Sequence, residues 1–277
     1  MPPTLTSKDH PLAKRIRLVA SRARRAPAEL ILAEGTRVLE EATRAGLAIE
    51  SVIVDERFGA SARQAALMAA WRERGVPVRV AAGRLLASLS EVAAPQGGIA
   101  LVRAPIRKLA DLRLPRAPLL LCACGIKDPG NLGTLVRSAA AASAVAVLAT
   151  RTTVSARGAK AVRASAGSFF RIPVVEELEP VELLEFFRAR RLQALRADPR
   201  LGSAYWEADL RAGTALLLGG EAHGFEDAAW QAIPPVRIPM AASSESINVS
   251  TAGAVLLFEA VRQRGAESEL RMRESTG

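Results

Sequence analysis

Cysteine and histidine are scarce, two of each in 277 residues. Two cysteines exclude a disulfide scaffold, and with only His10 and His223 to join them they do not make up a structural zinc site. A reducing, cytoplasmic setting fits, and no metal is expected. Also missing is any apolar run of about 18 residues, the length a bilayer requires. The nearest, residues 138–150, is alanine-rich, broken by Ser143, and reads as a helix followed by a strand. A membrane protein is therefore not expected. The opening MPPTLTSKDHPLAKR has no apolar stretch of the secretory kind, so the chain is read as mature; its arginine-rich, acid-poor character leaves an organelle-targeting leader as the alternative.

What the chain does have is apolar residues, 49% of the total, enough to bury a core and to argue against disorder. It also has excess positive charge, 38 Lys plus Arg against 28 Asp plus Glu, for a net +10. That excess is uneven: residues 1–25 hold Lys8, Lys14, Arg15, Arg17, Arg22, Arg24 and Arg25 against Asp9 alone. A basic arm of this kind neutralises phosphates and releases counterions, giving salt-dependent and largely sequence-independent affinity for nucleic acid. The plainer alternative is a solvated helix face in a chain biased toward arginine.

From residue 28 short β-rich runs alternate with amphipathic stretches. Residues 30–32, 49–54, 76–80 and 99–102 read as strands, and 35–45 and 63–74 as helices. Together they make a small α/β unit. Residues 105–117, with prolines, charges and little periodicity, read as a linker. Next comes LLLCAC, an unbroken apolar strand of the kind buried on both faces in parallel sheets. Helices at 132–142, 181–188 and 247–263 alternate with strands at 145–148, 192–196, 215–218 and 236–238, so the class is α/β. The expected organisation is a first domain over 1–104 with its basic arm, the linker at 105–117, a second domain over 118–265 and a polar tail at 266–277. Cys122 and Cys124 form a C-x-C pair, but without further thiols they read as core residues.

Three polar, glycine-bearing stretches fall where strand ends are expected, the place where open α/β sheets bind ligands. In KDPGNLGTLVRSAAA, residues 127–141, a turn leads into a helix that Asn131 is expected to cap. Arg137 follows among apolar and small residues, either as an anion clamp or as a surface arginine. In LLLGGEAHGFED, residues 216–227, Gly219 and Gly220 allow close backbone approach to a ligand, and Glu221 follows. His223 is a general base or simply a solvated loop histidine. In IPMAASSESINVSTAGAVLLFEA, residues 238–260, a polar loop enters a helix through Ser246, Asn248 and Ser250, more polar groups than one helix cap uses.

In order and wording, N-L-G-x-x-x-R-S, G-G-E-A-H-G and I-P-M…S-I-N-V-S-x-A resemble the three signature motifs of the SpoU, or TrmH-like, family of RNA ribose 2′-O-methyltransferases in the SPOUT superfamily. VRASAGSFFRIPV, residues 162–174, resembles the family's linking stretch. The amino-terminal PLAKRIRLVASRARRAPAELILAEGTRVLEEA resembles the ribosomal-protein-like α/β module with which many members grip RNA. The resemblance covers residues 10–264. One departure is the run AAAASA at 139–144, where the family more usually carries a glycine before the next strand.

The resemblance implies a carboxy-terminal parallel-sheet domain tied in a deep trefoil knot, a homodimer, and S-adenosylmethionine as cofactor. The knot rests on resemblance alone, since chains in general avoid knots. A Rossmann dinucleotide site is disfavoured, because no G-x-G-x-x-G follows the first strand of either unit. The motifs carried over imply that Leu218, Gly219, Gly220, Ile238, Met240, Ile247 and Val249 hold the cofactor, and that Asn131, Arg137, Glu221, Ser246 and Asn248 form the catalytic site. The expected substrate is structured RNA, ribosomal in preference to transfer RNA. Two other classes stay open at this point: a non-catalytic RNA-binding or ribosome-assembly factor with a vestigial pocket, and an α/β enzyme acting on a small molecule.

Overall fold

The structure, a computed structural model, describes residues 4–22, 25–90, 92, 97–220, 225, 227–241 and 246–274, with residues 266–274 as backbone alone. The chain divides into two compact units, Met1–Ile106 with Ala156–Arg171, and Arg107–Ser155 with Ile172–Gly277.

The first unit runs α1 (Pro11–Ala20), β1 (Leu30–Glu34), α2 (Thr36–Arg44), β2 (Ala48–Val54), α3 (Ala62–Glu73), β3 (Val78–Val80), α4 (Gly83–Leu89) and β4 (Gly98–Arg103). Its sheet has the order β1-β4-β2-β3, with β4 antiparallel to both neighbours and β3 parallel to β2. Leu30, Leu32, Ile53, Ile99 and Leu101 pack with Ile16 and Val19 of α1 and Leu85, Leu86 and Leu89 of α4. Much of the basic amino-terminal segment is thus a docked helix: His10 caps α1 through its Nδ1, and Ala13, Ile16 and Val19 form its buried stripe. Two of its charges are paired, Lys14 with Asp9 at 3.1 Å and Arg15 with Glu50 at 2.6 Å.

Residues 156–171 are far along the sequence but belong to this unit. Arg157, almost wholly buried, donates to the carbonyl oxygens of Ala28, Ala104 and Pro105 at 3.2, 2.7 and 3.3 Å. Arg163 pairs with the buried Glu34 at 3.1 Å, and Arg171 with the buried Glu41 at 3.3 Å. Gly167, with a φ of 81°, lies against Glu41 so closely that an added Cβ would sit 2.6 Å from that side chain.

The second unit begins with β5 (Leu119–Cys124), α5 (Pro129–Ala141) and β6 (Ala146–Thr150); α6 (Ala159–Ala164) then lies in the segment just described. It resumes with β7 (Val174–Leu178), α7 (Pro180–Ala189), β8 (Gln193–Ala197), β9 (Ser203–Ala204), β10 (Thr214–Gly219), β11 (Pro235–Arg237) and α8 (Val249–Glu274). These strands form one parallel sheet in the order β7-β6-β5-β10-β8-β11-β9. β5 and β10 are central neighbours, and their apolar runs are buried because helices cover both faces of such a sheet. Cys122 and Cys124 are core residues as expected, and burial pushes both thiols well above the ordinary range. Of residues 105–117, Leu109 and Leu112 are buried in this unit's core. Between α5 and β6, where the alanine-rich run lacks a glycine, Ser143 takes the left-handed conformation with a φ of 55°. Among the described residues no helix is long and apolar enough to cross a membrane.

Candidate active site

The carboxyl ends of β8, β10 and β11 and the start of α8 surround a cavity of about 440 Å³. From β10 come Leu218, Gly219 and Gly220; from the chain leaving β11, Ile238 and Met240; from the entry to α8, Ser246, Ile247 and Val249. All seven residues expected to hold a cofactor therefore line one cavity. Local sequence explains each wall. The TALLLG strand ends in two glycines, and a Cβ on Gly220 would lie 2.6 Å from the Gly125 carbonyl, so only glycine fits between the ends of β5 and β10. Ile238, Met240 and Ile247 stay partly exposed, aliphatic side chains turned to a concavity instead of a core.

Two of the expected catalytic residues meet beside that cavity. Asn248 Nδ2 donates to Asn131 Oδ1 at 3.0 Å. The Asn248 Oδ1 meanwhile caps α8, accepting from the backbone N–H of Ser250 at 2.9 Å and from the Ser250 hydroxyl at 2.6 Å. Asn131 does not cap α5, contrary to expectation. Asp128 is the cap, its Oδ1 accepting from the Asn131 N–H at 2.9 Å, and Pro129 takes the first helical position. Asn131 is thereby left with its side chain available to Asn248. α5 and α8 pack closely at Gly253, where an added Cβ would meet Leu135 at 2.4 Å.

Arg137 projects from α5 into solvent and makes no hydrogen bond or ion pair to a described residue; it is not part of the cavity wall. A guanidinium on a helix surface with no ion-pair partner among the described residues suits the binding of an anion. Glu221 and His223 lie outside the described residues.

Sequence reasoning missed Arg196 and Asp198, which line the same cavity from the end of β8. Their signal was positional. β8 pairs in register with β10, Arg196 opposite Leu217, so the residues after Arg196 run level with Leu218, Gly219 and Gly220. Burial pushes the Asp198 carboxyl up, but the N–H groups of Arg200 and Leu201 and the Arg196 guanidinium outweigh it and hold the group below the ordinary aspartate range.

With this geometry in hand, the chain can be placed among known proteins. Residues 118–258 match the model of the SpoU rRNA Methylase family, and residues 10–100 match the MRM3-like substrate binding domain. The chain belongs to the SpoU rRNA methylase family. It is 32% identical over 230 residues to the 23S rRNA (guanosine-2′-O-)-methyltransferase RlmB of Xanthomonas axonopodis pv. citri, covering 83% of each chain. The crystal structure of an RNA 2′-O ribose methyltransferase, 34% identical, superposes with a TM-score of 0.82 over 95% of this chain and 99% of that one. An AdoMet-bound rRNA methyltransferase from Sinorhizobium meliloti, 26% identical, gives 0.81 over 94% and 97%.

Proposed function

We propose that this protein methylates the ribose 2′-hydroxyl of a nucleotide in structured RNA, using S-adenosylmethionine, with ribosomal RNA as the preferred class over transfer RNA. The observation that carries the reading is the convergence of the Gly219–Gly220 strand end and the Ser246–Ile247 helix entry on one cavity. Its residues suit the cofactor: aliphatic Leu218, Ile238, Met240, Ile247 and Val249 offer flat contact to a purine, and Gly219 and Gly220, without side chains, allow close approach to the strand end. The bound cofactor supplies a methyl group already activated by a sulfonium, so no metal is required.

The protein's task is then alignment and charge management. Arg137 is not a base, since a guanidinium with a pKa above about 12 does not give up its proton. It grips the phosphate beside the target nucleotide and stabilises the negative charge growing on the 2′-oxygen. Asn131 and Asn248, tied to each other, fix the start of α5 against the start of α8, and Ser246 shapes the loop between cavity and substrate. Glu221 orients the hydroxyl or its proton acceptor. The first unit, with its exposed arginines, holds the RNA; the protein works in the cytoplasm. We place the family's trefoil knot in the stretch from β10 through α8. We also assign a homodimer, supported by the apolar side chains that α8 leaves exposed: Phe258 and Val261 at 49 and 37%.

The test is to map 2′-O-methyl groups on total RNA from cells with and without the protein, and to titrate the protein with S-adenosylmethionine in a calorimeter. A single ribosomal site that disappears with the protein is the expected result. Cofactor binding without any lost methyl mark would overturn the enzymatic reading. Tight RNA binding without cofactor binding would point instead to an assembly factor.

A further inference from the structure

The cavity contains a charged pair that none of the three motifs supplies. Arg196 is 92% buried at its side chain, whose relative exposure is 8%, and Asp198 is nearly as enclosed at 16%. The two are joined by a 2.6 Å bond from Nη1 to Oδ2. Arg196 Nε donates to the Ile233 carbonyl at 3.1 Å, and its guanidinium carbon stands 5.9 Å from the centre of the Phe225 ring. Asp198 Oδ1 accepts from the N–H groups of Arg200 and Leu201 at 2.9 and 2.8 Å.

Counting donors and acceptors shows what is left over. A guanidinium carries five N–H groups; Nε–H and one Nη1–H are used within the protein, and Nη2 bonds no described residue. Of the Asp198 oxygens, Oδ1 takes two backbone donors, while Oδ2 takes Arg196 alone among the described residues, which leaves one acceptor position. The pair therefore presents to the cavity several N–H donors beside one carboxylate acceptor, with no net charge. An anionic carboxylate would meet Asp198 as well as Arg196. A neutral vicinal diol, which both donates and accepts, matches the pair without that repulsion.

We propose that Arg196 and Asp198 bind the 2′- and 3′-hydroxyls of the cofactor's ribose, Asp198 Oδ2 accepting from one hydroxyl and Arg196 Nη2 donating to its neighbour. The proposal rests on the reading of the cavity as a nucleoside-cofactor site and assigns its orientation: ribose toward β8, purine toward the aliphatic wall of β10 and α8. Both are binding residues, and neither takes part in the methyl transfer.

The experiment measures binding without turnover. Wild type, Arg196→Gln and Asp198→Asn, each first shown by thermal melting to be folded, are titrated calorimetrically with S-adenosylhomocysteine, with 5′-methylthioadenosine, which lacks the amino-acid part, and with 2′,3′-dideoxy-5′-methylthioadenosine. Removal of the two hydroxyls is expected to weaken wild-type binding at least about tenfold, as hydrogen bonds to charged groups warrant, and to cost either variant, which keeps one of the two bonds, clearly less than it costs wild type. The variants are expected to lose affinity for S-adenosylhomocysteine and methylthioadenosine alike. Wild type indifferent to the hydroxyls would overturn the proposal, using ligands alone and no substitution. So would variants that lose S-adenosylhomocysteine but keep methylthioadenosine, which would turn the pair toward the amino-acid part. Wild type that binds none of these nucleosides would overturn the methyltransferase reading itself and the proposal with it.

Discussion

The Asn248 side-chain amide donates to Asn131 Oδ1 over 3.0 Å, joining two residues 117 positions apart in the chain. One amide thus does two things, since its oxygen caps α8 while its nitrogen reaches α5. Asn248→Asp separates them. The aspartate oxygen still caps the helix, so the melting temperature is expected to hold, but a carboxylate facing the Asn131 oxygen repels it. Turnover should fall about 100-fold through misplacement of α5 against α8. Asn248→Ala should show the same loss of turnover and in addition about 1 kcal/mol of lost stability from the missing cap, read by urea titration.

Arg137 lies on the surface of α5, so its removal breaks no hydrogen bond or ion pair to a described residue. Arg137→Ala is expected to leave stability within about 0.5 kcal/mol of wild type. Cofactor affinity measured by calorimetry should be unchanged, while turnover drops at least about 100-fold with loss of the phosphate clamp. Arg137→Lys should recover little, because a point charge does not reproduce a two-pronged grip on phosphate.

Ser143 holds a φ of 55° between α5 and β6, a conformation that costs a residue with a Cβ about 1 kcal/mol relative to glycine. Ser143→Gly is expected to raise the unfolding midpoint in urea by an equivalent of about 1 kcal/mol, less the entropy that glycine adds to the unfolded chain. Activity should not change.

Asp198 titrates below the ordinary aspartate value when folded. Its ionised form is therefore worth more in the native state than in the unfolded chain. That stability is fully present above about pH 4, where the unfolded carboxyl is already ionised, and is lost as pH falls through the lower folded value. Asp198→Asn removes the dependence. Below about pH 4 the stability gap between wild type and variant should narrow as acid is added, a difference that denaturant titrations at several pH values measure directly.

Strands whose partners bury them on both faces were legible because burial leaves nothing but apolar residues: LLLCAC became β5 and ALLL the heart of β10. That Leu218, Gly219, Gly220, Ile238, Met240, Ile247 and Val249 line one cavity followed from their resemblance to the family's motifs; locally only Gly219 and Gly220 marked a strand end open to close approach. α1 was masked by its charges, since a stripe as thin as Ala13, Ile16 and Val19 does not stand out among lysines and arginines. β7 carries Glu176 and Glu177 and, at the sheet edge, lacks the uniform burial that betrays a central strand. The Asp128 cap was readable from Asp-Pro-Gly, because proline favours the first helical position and aspartate the one before it, but Asn131 drew the assignment instead. Arg196 and Asp198 could not be placed at all without strand register, a relation between residues about twenty positions apart.

The assignment of residues 156–171 to the first unit means that the chain passes from one unit to the other three times, after Ile106, after Ser155 and after Arg171. Severing the polypeptide at residues 105–117 would not yield the first unit as a portable module. The excised piece would keep Glu34 in its interior but forfeit Arg163, its counter-ion, and would leave open the carbonyls that Arg157 fills. Transplanting the first unit of this protein thus demands that a segment spliced into the second travel along with it.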